Sequence, residues 1–109
     1  MANFYSAMAY PGSPLFIEAQ KNKLPLPTEY VGYSQHAYET HNLQNDNLSS
    51  AEILRFRDYA WEKYHSSKKY LNLMQDRFGS KAVNELADTK KVKLKRKLLE
   101  QFDHLKPIQ

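Results

Sequence analysis

The sequence predicts a mainly α chain, with a C-terminal bundle of three to four helices preceded by a short strand–turn–helix and a long irregular connection. Three observations carry this reading. Apolar residues recur every three or four positions from residue 50 to about 103, the period of a helix with one buried face. Serines at 49, 67 and 80 stand where helix-capping residues are needed. Ahead of them, prolines and polar clusters break residues 23–48 into pieces too short for a core helix. The chain therefore divides into residues 1–48 and 49–109.

Residues 2–9, ANFYSAMA, alternate roughly and suit a short strand. Tyr10-Pro11-Gly12-Ser13 marks a turn, because Pro presets φ and Gly tolerates the positive φ that follows. Ser13 is a good N-cap and Pro14 suits the first helical position, so a helix is expected over about 14–22, with Leu15, Phe16 and Ala19 inward. A lone strand cannot satisfy its own backbone, so residues 1–9 are expected to be disordered or arranged differently unless another strand is supplied. Leu24-Pro25-Leu26-Pro27 excludes helix. Tyr30 to His36 suits an extended run, and Asn42 to Asn47 is turn-like. A connection of this length is unusual in a compact domain and implies function or a wrap over a neighbouring surface.

Ser49-Ser50-Ala51-Glu52 forms a capping box. Ile53, Phe56, Ala60 and Tyr64, with Trp61 beside them, predict an amphipathic helix over 50–65. Ser66 or Ser67 starts the next, with Tyr70, Leu71, Met74 and Phe78 on one face and Gly79 beyond its end. Ser80 caps a third that carries Ala82, Val83, Leu86 and Ala87, with a break near Thr89 left open. Leu94, Leu98 and Phe102 extend the pattern to about 103, and Pro107 ends it.

The chain has 109 residues, the size of one domain, and 41% are apolar. Cysteine is absent, which excludes disulfides, thiolate catalysis, cysteine-ligated zinc and iron–sulfur ligation by this chain and fits a cytoplasmic setting. No apolar run approaches the roughly 20 residues of a membrane span, and no secretory signal is expected at the N-terminus. Residues 1–50 carry two lysines against four acids, whereas residues 51–109 carry fourteen basic residues against eight acids.

That excess peaks in a basic patch, Lys90, Lys91, Lys93, Lys95, Arg96 and Lys97, six cations in eight positions. It could contact nucleic-acid phosphates. The preferred reading is the solvated face of a helix whose Leu94 and Leu98 face the core. Arg55, Arg57, Asp58 and Glu62 read as an ordinary charged helix side. Nothing forces His36, His41, His65 and His104 to converge, so no metal site is expected, and no nucleophile–base–acid order stands out.

Longer motifs point elsewhere. Residues 3–13, NFYSAMAYPGS, then Leu15 and Gly32-Tyr33-Ser34-Gln35-His36, resemble the C-terminal region of cobalamin-binding radical S-adenosylmethionine enzymes, such as the anaerobic magnesium-protoporphyrin monomethyl ester cyclase. The likeness continues through Glu52-Ile53-Leu54-Arg55-Phe56-Arg57-Asp58, Lys69-Tyr70-Leu71, Phe78-Gly79 and Leu94-Lys95-Arg96-Lys97-Leu98-Leu99, nearly the whole chain in order. It implies a last barrel strand, its helix and a helical extension. It also implies a parent enzyme that uses S-adenosylmethionine, a [4Fe–4S] cluster held by three cysteines, and cobalamin, none of them bound by this chain alone. The partner would be the remainder of that enzyme, in cis or in trans. Within this reading, Tyr33, Gln35 and His36 are the substrate-side candidates, in a Gly-containing loop that combines donors, acceptors and an aromatic face. Docking of that loop onto the barrel explains them as well. Two other expectations are a basic helical nucleic-acid-binding module, disfavoured by the acidic first half, and a protein-interaction module.

Overall fold

The computed structural model describes residues 2–101, and helix dominates it. The described residues form α1 (Pro14–Lys21), a 3-10 turn (Tyr30–Tyr33), α2 (Ser50–Ser66), α3 (Lys68–Lys91) and α4 (Lys97–Glu100), with no strand among them. The chain is thus mainly α. Phe102, His104 and Pro107 lie outside the described residues.

Local chemistry explains each helix start. The Ser13 N–H donates to the Tyr10 carbonyl at 3.0 Å across the turn, and Gly12 supplies the positive φ of 87°. The Ser13 hydroxyl accepts from the Phe16 N–H at 3.2 Å, with Pro14 following it in α1. At α2 the Ser49 hydroxyl accepts from the Glu52 N–H at 3.2 Å and the Glu52 carboxylate accepts from the Ser49 N–H at 3.3 Å. This is the reciprocal capping box. Ser67 ends one helix and caps the next, accepting from the Tyr70 N–H at 3.2 Å. Gly79 breaks α3 into two helical pieces with φ 82° and ψ −179°, a conformation that L side chains avoid.

Several expectations change. Residues 2–9 pair with no strand; the Ala7 carbonyl accepts one backbone bond, from Leu43 at 2.9 Å, and Ser6 is held by a side chain instead. Tyr30–Tyr33 winds into the 3-10 turn rather than extending, because Gly32 lets Pro27 approach to where a Cβ would stand 2.5 Å from the Pro27 Cβ. Leu15 is exposed, leaving Ala19 as the buried residue of α1. The Ser80 hydroxyl meets the Gln75 side chain at 3.1 Å. Helix α3 passes Thr89, whose hydroxyl donates back to Glu85. The helix expected through Leu94 is interrupted at 92–96, so Leu94 is exposed while Leu98 is buried.

The chain divides into two compact units: residues 2–4 with Asp58–Lys93, and Tyr5–Arg57 with 94–101. In the second, Ala51 and Leu54 of α2 pack with Leu98, and Leu99 lies against them. In the first, His65 is fully buried among the rings of Phe4, Trp61, Tyr64 and Tyr70, and Leu86 is buried on α3. The buried stripe of α2 therefore includes Ala51, Leu54, Arg57 and His65, while Phe56 and Tyr64 of the expected apolar face are exposed.

Candidate functional site

The region carrying Tyr33, Gln35 and His36 belongs to the unit formed by Tyr5–Arg57 and 94–101. Thr40 organises it from below. This residue is 1% exposed, and its hydroxyl reaches the carbonyls of Ser34 at 2.6 Å and Ala37 at 2.7 Å. The His41 N–H donates to the Gly32 carbonyl at 2.8 Å, which closes the loop on the 3-10 turn.

Gln35 has its amide committed. The Oε1 accepts from the Ser6 N–H at 3.1 Å and from the Ser6 hydroxyl at 3.2 Å, while Nε2 donates to the Ser6 carbonyl at 3.0 Å. Tyr33 is half-buried, its ring 6.2 Å from that of Tyr10. His36 is exposed, and its Nε2 lies 3.1 Å from Nη2 of Arg57. A guanidinium only donates, so this nitrogen is the acceptor of that hydrogen bond. Nε2 is then occupied and cannot act as a base while Arg57 holds it. The three candidates share a loop, and Gln35 and Tyr33 face residues 6–10.

The basic patch divides. Arg96 is 2% exposed and donates from Nη1 to the Ala37 carbonyl at 3.0 Å and to the Thr40 hydroxyl at 2.9 Å. Lys91 pairs with Asp88 at 3.1 Å and Lys93 with Glu62 at 3.0 Å, all on exposed side chains. Lys95 and Lys97 are exposed and Lys90 is half-buried. Because residues 92–96 are not helical, the six cations form no single helix face.

A cavity of about 290 Å³ opens beside the 3-10 turn, with Pro27, Val31 and Leu98 as apolar walls and Glu39, His41 and Lys97 as polar lining. Burial holds the His41 imidazole below its ordinary pKa, so the ring enters neutral solution uncharged. The cavity sits just under the usual range for small-molecule sites, about 300–1,000 Å³, and its charges lie on exposed side chains. It can hold a small polar molecule. Among the described residues, no group of three or more His, Asp or Glu side chains is placed to hold a metal ion.

No family model, curated protein or solved structure matches the chain. Among the described residues, no helix is long and apolar enough to cross a membrane.

Sequence reasoning missed Arg57 and Arg96 as buried anchors and His41 as a cavity residue. Nothing in a charge pattern separates a buried arginine from its solvated neighbours. The one available signal was chemical: arginine, with its planar fork of donors, is the cation best suited to burial against carbonyls.

Proposed function

We propose that this chain is the C-terminal segment of a radical S-adenosylmethionine/cobalamin-type enzyme, in which it closes the barrel and shapes its substrate end without catalysis of its own. The ordered motif series from Asn3 to Leu99 supports the reading. The structural observation that carries it is the state of residues 3–8. Exposure alternates strictly along them, with Asn3, Tyr5 and Ala7 outward and Phe4, Ser6 and Met8 inward, yet they join no sheet. That is the pattern of a strand whose neighbour is elsewhere. Exposed Tyr5, Tyr10, Ile17, Phe56 and Phe78 add apolar surface that a larger body would cover.

The residues present do not fit the [4Fe–4S] cluster, since the chain offers no cysteine ligand. Cluster, S-adenosylmethionine and cobalamin would belong to the rest of the enzyme, and a cytoplasmic setting goes with this proposal. The test is the reading frame upstream of Met1 together with an assay of the isolated chain. A three-cysteine motif encoded in frame or in an adjacent gene supports the reading. Its absence from both, or 5′-deoxyadenosine formed by this polypeptide alone with S-adenosylmethionine and reductant, overturns it. A protein-interaction module is the second reading, favoured by the same exposed aromatics; a concentration-dependent mass without any barrel partner would select it. The burial of Arg96 and the pairing of Lys91 and Lys93 weigh against a nucleic-acid interface.

A further inference from the structure

The cavity beside the 3-10 turn is lined by residues of a single unit, the one formed by Tyr5–Arg57 and 94–101. Close by, polar side chains bond within the chain: Gln35 with Ser6, and Tyr38 with Glu100 at 2.6 Å. Those around the cavity do not. The side chains of Thr28, Glu29, Glu39, His41, Lys97 and Gln101 all line it, and none has a hydrogen-bond or ion-pair partner among the described residues. Lys97 and the two carboxylates thus share one space without pairing, so the cavity holds opposite charges apart. Leu26, Pro27, Val31 and Leu98 supply apolar wall. Unspent polar groups converging on an apolar-walled cavity are the composition of a small-molecule site.

We propose that this cavity binds a free α-amino acid with an apolar side chain of leucine's size, its carboxylate on Lys97, its ammonium on Glu29 and Glu39, and its side chain against Pro27, Val31 and Leu98. The volume of about 290 Å³ equals about ten waters at roughly 30 Å³ each, which is room for about ten non-hydrogen atoms. Opposite charges held apart select a ligand that carries its own two charges apart. A simple anion would leave both carboxylates facing it, and a simple amine would leave Lys97 unanswered. Two carboxylates suit one ammonium, because its three N–H donors need several acceptor oxygens. His41, kept uncharged at neutral pH by its burial, offers one donor and one acceptor and adds no further charge. Glu29, Glu39 and Lys97 are exposed, so each ionic contact contributes little and the affinity is millimolar.

The experiment titrates the full chain with leucine and follows the amide NMR signals of Gly32, Thr40, His41 and Leu98, all residues of the lining. The expected result is a saturable shift of these signals with one millimolar Kd. Three analogues divide the ligand into its parts. N-acetylleucine lacks the ammonium, leucinamide lacks the carboxylate, and lysine ends its side chain in a charge. Each should bind about fivefold more weakly, the worth of one exposed ionic contact or of the apolar end. In Lys97→Ala, leucine should weaken about fivefold while leucinamide is unchanged; in Glu29→Gln with Glu39→Gln, leucine should weaken likewise while N-acetylleucine is unchanged. Lys95→Ala removes an equal charge outside the lining and should leave leucine binding as it was. The proposal is overturned by the absence of a saturable shift at these amides, or by any of the three analogues binding as tightly as leucine. It is equally overturned if Lys95→Ala weakens leucine as much as Lys97→Ala does. The analogue series on the unsubstituted chain is decisive even if the double glutamine variant fails to fold.

Discussion

Arg96→Ala separates a structural cation from five that merely sit beside it in sequence. The guanidinium is 2% exposed and makes hydrogen bonds of 3.0 Å and 2.9 Å to the Ala37 carbonyl and the Thr40 hydroxyl, which bind the end of the described chain to the loop before α2. Hydrogen bonds from a charged donor contribute about 1.5–3 kcal/mol each. Two would give about 3–6 kcal/mol, but the Ala37 carbonyl keeps the Thr40 hydroxyl at 2.7 Å after truncation, so the lower end applies, near 3 kcal/mol. That is a large share of the roughly 5–15 kcal/mol that holds a domain of this size together. With a urea slope of about 1–3 kcal/mol/M, the unfolding midpoint should fall by about 1–3 M at unchanged slope, read by far-UV circular dichroism. Lys95→Ala and Lys97→Ala, on exposed side chains, should stay within about 0.5 kcal/mol. Arg96→Lys should recover part of the loss, because an ammonium lacks the planar fork. An Arg96→Ala variant as stable as the lysine variants would refute the assignment.

Three further outcomes are expected. Gly79→Ala should cost about 1–3 kcal/mol in thermal or urea unfolding although nothing lies within 4 Å of the added methyl, because the φ of 82° alone is the obstacle. Ser49→Ala should cost about 1 kcal/mol and fray the first turn of α2, visible as faster amide exchange at Glu52. His41 protonates less readily folded than unfolded because of its burial, so its contribution to stability is whole above about pH 6.5 and is lost as pH falls from there through the lower folded pKa; His41→Gln should flatten that part of the stability profile.

Helix positions were legible from sequence because capping is local chemistry. Ser13, Ser49 and Ser67 each cap the helix that follows them, and Gly79 breaks the chain where its positive φ is needed. Faces were harder to read. The apolar period of α2 pointed to Phe56 and Tyr64, but the interior took Arg57 and His65, polar residues whose burial depends on distant partners such as His36 and Ala2. The same limit hid Arg96: its run reads as solvent-facing until the Ala37 and Thr40 acceptors, more than fifty residues away, are placed beside it. Tyr33, Gln35 and His36 were found as a loop, but their hydrogen bonds are long-range facts too.

Gln35 offers the sharpest view of what residues 2–9 lack. Its primary amide presents one acceptor and one donor to the N–H and carbonyl of Ser6, at 3.1 Å and 3.0 Å, as a peptide group of a neighbouring strand would. Ser6 is 7% exposed, so these backbone groups cannot turn to bulk water instead. Gln35→Ala should therefore leave a buried donor and acceptor unpaired, costing about 1–3 kcal/mol for each group left unsatisfied. If the proposed barrel supplies a neighbouring strand, that cost should shrink when the chain is assembled with its partner, since a real peptide group replaces the borrowed amide. The comparison is a thermal shift of Gln35→Ala against the unsubstituted chain, alone and in complex. An equal penalty in both states would mean that Gln35 belongs to the finished structure and that residues 2–9 are no barrel strand.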